Sequence, residues 1–266
     1  MLTDITLGQY FPGESLLHRM DARVKIVLLF FYVLGIFVFD NNICYAMNTL
    51  LALLLIRLSG ISPRLVWKSI KPLWWILLMS FVIQLFSVPG ETLASLWIFT
   101  LTWEGLMRGF VISLRLVLLI GVSSLLMLTT SPLMLTDALE ALFKPLKKIG
   151  LPAHELSMMM TIALRFIPTL MEETDKILKA QKSRGSDIGD GNFLAKAKSM
   201  IPVLVPLFIS AFRRADELAM AMEARCYHGS EGRTRMKIMR LHNADGLAAG
   251  IMSVYFICCG AVYFFC

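Results

Sequence analysis

The stretch VISLRLVLLIGVSSLLML (residues 111–128) has 18 residues, and Arg115 is the only charged one. A helix needs about 20 predominantly apolar residues to cross the hydrocarbon core of a bilayer. Within that core every backbone polar group must be bonded inside the protein, which an α-helix achieves alone. The stretch therefore predicts a transmembrane helix.

Four further uncharged runs lie on either side of it, with 14, 14, 17 and 21 residues: 26–39, 43–56, 72–88 and 246–266. The first borders Lys25, which can snorkel toward the membrane surface. We count the second because its neighbours must be joined across the bilayer. The chain is also 57% hydrophobic and only 17% charged, a composition typical of membrane proteins. We predict an all-α membrane protein with about five transmembrane helices.

The basic residues are distributed unevenly along the chain. Of 26 Lys and Arg, the segments 1–25, 57–71 and 131–245 hold 3, 4 and 17, whereas segments 40–42 and 89–104 hold none. Lys and Arg concentrate in the cytoplasmic segments of membrane proteins. This predicts a cytoplasmic N-terminus and an external C-terminus. Membrane topology thereby accounts for the net charge of +7, and no nucleic-acid partner is expected.

The chain divides into three regions on this basis: a membrane domain with four spans (1–130), a more polar region (131–245) and a final transmembrane helix (246–266). The middle region contains apolar runs of 8 and 12 residues, SMMMTIAL and IPVLVPLFISAF, which are too short to cross a bilayer. Such runs suit long amphipathic helices that lie along the membrane. We predict about three of them.

Proline and glycine residues mark the expected helix boundaries in the middle region. The predicted helices begin near Pro132 and Pro152 and end near Gly150, Gly185 and Gly229. Proline inside a helix removes a hydrogen bond and clashes with the preceding turn. This predicts a kink or break at Pro168, and breaks at Pro202 and Pro206.

Two of these long helices end on similar tripeptides, Ser183-Arg184-Gly185 and Ala224-Arg225-Cys226. An arginine in the last turn complements the helix dipole, so both could be ordinary helix ends. The alternative is that each arginine projects into a partner protein, because its planar guanidinium can bind carboxylates with two hydrogen bonds. The small residue before each arginine would let the partner approach closely.

The order of these features resembles the transmembrane T subunit of energy-coupling factor (ECF) transporters, the EcfT family. The resemblance rests on the two tripeptides, on SLLHRMDARVKIV (15–27) and on LTTSPLMLTDALEALFKPLKKIGLPAHE (128–155). The family pattern is Ala-Arg-Gly at the ends of two cytoplasmic coupling helices. Here Ser183 replaces the first alanine and Cys226 the second glycine. Since cysteine resists a left-handed turn, we expect Gly229 to end the second helix instead.

The resemblance implies a non-catalytic subunit in the cell membrane of a prokaryote, within an ATP-driven importer of vitamins or metal ions. It would bind no cofactor or metal itself, because ATP and magnesium belong to two ABC-type ATPase partners. A small substrate-binding membrane subunit, the S component, would be its third partner. The docking residues would be Ser183, Arg184, Gly185, Ala224, Arg225 and Cys226, with supporting coupling-helix residues Ala180, Asp216, Glu217 and Glu223.

Two other classes of function are less well supported by the residues. A stand-alone secondary transporter needs ionisable groups in its spans, and Arg115 is the only one, with no acidic residue in any span. An enzyme needs a reactive cluster, but the four histidines are scattered, and the Glu172–Glu173 and Asp216–Glu217 pairs suit ion pairs within a helix. The chain also lacks the G-x-x-x-x-G-K-[ST] loop of a nucleotide-binding ATPase.

Overall fold

The structure is a computed structural model that describes residues 10–89, 92–96, 99–150, 152–186, 198–229 and 241–265. Apart from turns and short connections, its described part is helical except for one short antiparallel hairpin of two strands, β1 (Thr92–Leu96) and β2 (Phe99–Thr102). This confirms the predicted all-α class. The chain forms two compact units, one of Gly8–Leu135 with Ile238–Cys266 and the other containing Thr136–Lys237.

The first unit contains seven of the helices in the described ranges, counting the one that ends the chain: α1 (Leu16–Arg19), α2 (Ala22–Val38), α3 (Asn42–Ser59), α4 (Pro63–Ile70), α5 (Trp74–Ser87), α6 (Trp103–Thr129) and α10 (Asn243–Phe265). A 3₁₀ turn, Lys71–Leu73, joins α4 to α5. The hairpin precedes α6 in the chain. The quoted stretch 111–128 lies inside α6, which has 27 residues.

Four helical stretches in the described ranges are long and apolar enough to cross a membrane: Asn42–Ser59, Pro63–Ser87, Trp103–Thr129 and Asn243–Phe264. These correspond to four of the five predicted spans. The remaining predicted span is α2, whose 17 residues reach only about 26 Å. The hydrocarbon core is about 30 Å thick, so α2 is slightly short for a perpendicular crossing.

Helix α6 packs against several of the other helices of the first unit. Its Val122 and Leu118 join Tyr32 and Tyr45 in one buried apolar cluster. Gly105 and Gly109, spaced by one helical turn, allow α5 to approach closely. A side chain at Gly105 would come within 2.8 Å of the Leu85 carbonyl oxygen, and one at Gly109 within 3.1 Å of the Phe81 ring. Small residues at this spacing are typical of closely packed membrane helices.

Polar contacts hold the N-terminal end of α2 to α10. Asp21 caps α2, accepts a 2.9 Å hydrogen bond from the Arg23 amide, and binds the Arg23 guanidinium through both carboxylate oxygens. The Asp21 amide donates to Asp245 Oδ1 at 3.0 Å, and the His242 amide donates to Asp245 Oδ2 at 2.7 Å. Burial acts to raise the pKa of the Asp21 carboxyl, but the hydrogen bonds and charge of Arg23 outweigh it and hold that pKa below its usual value.

Arg115 has an acidic partner that the sequence did not indicate, because the partner lies outside the predicted spans. Its guanidinium lies 3.1 Å from Asp40, which follows the C-terminal end of α2, and also contacts the Tyr45 hydroxyl. The same guanidinium lies 5.4 Å from the centres of the Phe37 and Tyr45 rings. Arg115 therefore ties α6 to the α2–α3 connection.

The second unit contains most of α7 (Pro132–Phe143), a 3₁₀ segment (Lys144–Ile149) and two long helices, α8 (Ala153–Ser183) and α9 (Ile201–Glu223). At Pro168, where a kink or a break was predicted, α8 continues without a break. The predicted breaks at Pro202 and Pro206 are wrong. Pro202 lies in the first turn of α9, where no amide hydrogen bond is lost, and Pro206 is accommodated inside the helix.

Candidate functional site

The candidate site consists of the C-terminal ends of α8 and α9, which carry the two arginine tripeptides. At the end of α8, the Ser186 amide donates to Gln181 O at 3.1 Å and the Gly185 amide donates to Lys182 O at 3.0 Å. This pair of hydrogen bonds defines a Schellman motif. Gly185 has φ 82°, the left-handed conformation that this motif requires.

The end of α9 has the same hydrogen-bond pattern at equivalent positions. The Tyr227 amide donates to Met222 O at 3.1 Å, and the Cys226 amide donates to Glu223 O at 2.9 Å. Cys226 takes the left-handed conformation, with φ 55°. The two tripeptides are therefore matched residue by residue, with each arginine just before the left-handed residue.

The expectation that Cys226 would resist a left-handed turn is wrong, and so is the predicted extension of the helix to Gly229. Helix α9 ends at Glu223, and Gly229 adopts its own left-handed φ of 89° further along the chain. The two Schellman hydrogen bonds offset the steric cost of a left-handed cysteine, which is about 1–2 kcal/mol for a residue with a Cβ.

This conformation predicts that Cys226→Gly stabilises the end of α9 by about 1 kcal/mol, because glycine adopts positive φ without steric cost. We expect hydrogen exchange of the Tyr227 amide to slow about fivefold, the equivalent of that free energy. Cys226→Ala is the matched control, since it removes the sulfur and keeps the steric cost. Equal protection in the glycine and alanine variants would contradict this explanation.

The six docking residues predicted from the sequence all lie on the surface. The exposed residues are Ser183, Arg184, Gly185, Ala224, Arg225 and Cys226. The supporting residues have two kinds of position. The Ala180 and Glu223 carbonyls accept hydrogen bonds from the Arg184 and Cys226 amides, whereas Asp216 and Glu217 are exposed on α9.

Helices α8 and α9 pack antiparallel, as three side-chain contacts establish. Gln181 Nε2 donates to Pro202 O at 3.3 Å, Arg214 donates to Glu173 Oε2 at 2.8 Å, and the Tyr227 hydroxyl donates to Met158 Sδ at 3.0 Å. In these three contacts the residue numbers decrease along α8 while they increase along α9. The two arginine tripeptides therefore lie at opposite ends of the helix pair.

The separation of the two ends follows from helix geometry. Met158 contacts Tyr227, the residue after the second tripeptide, and Gln181 lies just before the first tripeptide. At 1.5 Å per residue, Met158 and Gln181 are about 35 Å apart along α8. No side chain within the unit can bridge that distance. The two arginines are therefore available to two different sites on a partner, or to two partners.

Sequence reasoning did not find the contacts that hold this helix pair together. We expected Glu173 to pair within its own helix, but it binds Arg214 on α9, with both side chains partly buried. His154 lies 3.1 Å from Glu140 of α7, and its other ring nitrogen lies 3.4 Å from the Tyr227 hydroxyl. These pairs are distant in sequence, so helical spacing could not indicate them.

The contacts of Tyr227 predict that its hydroxyl positions the end of α9. In Tyr227→Phe the ring remains and the bonds to His154 and Met158 are lost, at a net cost of about 1 kcal/mol. We expect hydrogen exchange in residues 223–229 to accelerate about fivefold. Tyr263→Phe, which removes a hydroxyl from an exposed tyrosine of α10, should leave that exchange unchanged. Unchanged exchange in Tyr227→Phe would show that the hydroxyl does not position the end of α9.

Comparisons with known proteins identify the family of this chain. The family described as "CbiQ: Cobalt transport protein" matches residues 13–236. The "Energy-coupling factor transporter transmembrane protein EcfT" of Acidaminococcus fermentans is 54% identical over 257 residues, covering 97% of this chain and 96% of its own. The protein of the same name from Ruminiclostridium cellulolyticum is 52% identical over 255 residues, with 96% of each chain covered. A Listeria monocytogenes relative named "EcfT 1" is 43% identical over 253 residues, with 95% of each covered.

Proposed function

Since this chain belongs to the CbiQ family of energy-coupling factor transporter transmembrane proteins, we propose that it couples two ATPase subunits to a substrate-binding membrane subunit. In this proposal the chain itself hydrolyses nothing. ATP and magnesium are held by the ATPases, and the vitamin or metal ion is held by the membrane partner. The chain converts movement of the ATPases into movement of that partner.

The proposal rests mainly on the placement of two matched arginine tripeptides at opposite ends of one antiparallel helix pair. Arg184 and Arg225 occupy equivalent positions in two Schellman motifs. Schellman hydrogen bonds are common at helix ends, and what distinguishes these two ends is an exposed arginine at the same position of each, about 35 Å apart. Two copies of a docking element at that separation suit two separate ATPase subunits.

The chemistry of each tip supports docking into a groove lined by carboxylates. Each guanidinium is exposed and offers a fixed fork of donors, which binds a carboxylate with two hydrogen bonds. The capped backbone behind it is held by two hydrogen bonds, so little conformational freedom is lost on binding. The neighbouring Ser183 and Ala224 are small enough to let a groove wall come close.

The contacts between α8 and α9 offer a physical route for transmission. When the ATPases close on ATP, they move the two arginine tips relative to each other. The helices are stiff rods joined near their middle by the Arg214–Glu173 ion pair and near their ends by Gln181 and Tyr227. Movement of either tip is therefore transmitted along both helices instead of being absorbed by bending.

The surface that delivers this movement is an exposed apolar face on the first half of α9. Phe208 is 61% and Phe212 is 68% exposed, and the apolar residues Ile201, Leu204, Val205 and Ile209 are exposed with them. An apolar face on a membrane-associated helix needs either lipid or an apolar partner. We assign it to the membrane subunit that binds the substrate.

The same proposal fixes the orientation in the membrane of a prokaryotic cell. The N-terminus and the arginine tips face the cytoplasm, where ATP is available, and the C-terminus faces outward. The concentration of Lys and Arg in segments 1–25, 57–71 and 131–245 supports this orientation.

Affinity purification of the tagged protein from its host membrane tests the proposed function. We expect two ATPase chains, or two copies of one, together with at least one small membrane protein. Counting the different small membrane proteins would also show whether several substrate-binding subunits share this chain. Recovery of the protein alone, with substrate uptake after reconstitution, would identify a secondary transporter instead.

A further inference from the structure

The first unit contains an apolar groove at the end of the helices marked by Lys25. It is lined by twenty residues from α1 and the turn after it and from α2, α3, α6 and α10, and its cavity volume is about 210 Å³. Each of the four longer helices lines the groove over about two helical turns. On α2 the lining runs from Lys25 to Tyr32, a length of about 10 Å. Leu54 and Leu247, which also line the groove, are exposed.

The groove lining is almost entirely apolar, and its polar residues are Lys25 and Thr129 at the end where α6 ends and α10 begins, and Tyr32 further along α2. Lys25 is only 8% exposed, and its ammonium donates to Thr129 O at 3.2 Å and to Thr130 Oγ1 at 3.0 Å. An ammonium has three donors, so one remains beyond the two bonds that the described residues make with it. Thr129 lines the groove beside Lys25, whereas the opposite wall toward Leu51 and Met252 is apolar.

The carboxylates nearest to Lys25 are already engaged with other groups. Asp21 binds Arg23 through both oxygens, and Asp245 accepts hydrogen bonds from the backbone amides of Asp21 and His242. In the ranges that the structure describes, Lys25 forms no ion pair within 4.0 Å, whereas Arg23 does. Asp21 and Asp245 nonetheless act on Lys25 through longer-range charge and favour its charged form, while neither bonds to its ammonium.

We propose that this groove binds one anionic phospholipid, with an acyl chain between the helices and the phosphate at the Lys25 ammonium. The arrangement pairs an apolar slot two helical turns long with a cation at one end. That pattern matches an acyl chain attached to an anionic head group. The groove opens among helices that cross the membrane, where phospholipid is the abundant amphiphile. The site is independent of the arginine tips and of the proposed coupling role.

Native mass spectrometry of the purified full chain tests the site. The protein is stripped of lipid and supplied with equal amounts of phosphatidylglycerol and phosphatidylcholine that carry the same acyl chains. We expect one retained lipid. Phosphatidylglycerol should be favoured over phosphatidylcholine about fivefold, because this is the size of the electrostatic effect of one lysine near an anionic lipid. Lys25→Met should remove the preference and keep the lipid. Lys25→Arg should keep both.

A second pair of variants tests the apolar slot without touching the charge. Ala248 lines the groove, so Ala248→Phe should fill the slot and abolish lipid retention. Ala249→Phe places the same ring on the exposed neighbouring residue, which is not part of the lining, and should bind lipid like the original protein. Lipid retention in Ala248→Phe equal to that in Ala249→Phe would overturn the proposal, as would equal binding of both lipids before any substitution.

A photo-crosslinking residue at Leu54 distinguishes lipid from a protein occupant in host membranes. Cross-links to phospholipid support the site. Cross-links to another polypeptide would show that the groove is a protein interface and would overturn the proposal.

Discussion

Replacing both Arg184 and Arg225 by glutamate should reduce recovery of the ATPases with this chain to background. Each substitution replaces a cation with an anion at a position proposed to bind carboxylates. Removing one partner of a buried charge pair weakens association by roughly 30-fold or more, and charge reversal adds repulsion. The measurement is the amount of each ATPase recovered with the tagged protein from membranes at fixed expression.

The matched control is the double variant Lys176→Glu with Arg213→Glu. It makes the same charge change on the same two helices, at exposed residues away from the tips. If the ATPases are recovered normally with this control and are lost only in the arginine double variant, the loss is due to the two arginine tips. Normal recovery in both would refute docking through Arg184 and Arg225.

The arginine double variant should also stop substrate uptake and leave substrate binding to the membrane partner unchanged. The reason is that the substrate site belongs to another chain in this proposal. Uptake in vesicles and binding to the solubilised partner are measured on the same preparation. Loss of both activities would place part of the substrate site on this chain.

Replacing Phe208 and Phe212 by aspartate should detach the substrate-binding membrane subunit while both ATPases stay bound. Burying one phenylalanine side chain contributes about 1.5–3 kcal/mol, so losing two weakens the contact roughly 100-fold or more. Burying the new carboxylates would add a further cost. Recovery of the small membrane protein with the tagged chain is the measurement.

The conservative variant Phe208→Leu with Phe212→Leu keeps an apolar face and should retain the membrane subunit. Loss in the leucine variant as well would mean that ring shape, rather than apolar character, is required. Retention of the membrane subunit by the aspartate variant would show that it binds elsewhere on the chain.

The helical class and four of the spans could be predicted from sequence because they depend on local hydropathy. Long uncharged runs such as 111–128 leave the backbone no alternative to a helix in lipid. The two arginine tripeptides could also be recognised from the sequence as candidate docking residues. The predictions that were wrong concern features that depend on tertiary contacts, which local sequence patterns do not reveal. Pro168 lies inside a continuous helix, which local propensity alone argues against.

The contacts around the candidate site illustrate the same limit. Cys226 adopts a left-handed conformation because the capping hydrogen bonds outweigh its steric cost, and propensity measures only the cost. The Arg115–Asp40 and Arg214–Glu173 pairs join residues 75 and 41 positions apart. Helical periodicity predicts contacts three or four residues apart, so it could not identify either pair.

Site-specific cross-linking from the two tips in the assembled transporter tests the central claim most directly. A photo-reactive residue is placed at position 184 in one variant and at position 225 in another, and each is irradiated in native membranes. Both positions are expected to cross-link to an ATPase subunit, and a variant carrying both should join two ATPase chains to one copy of this protein. Cross-links from either position to lipid, or to this chain alone, would contradict the proposal that each arginine docks into an ATPase.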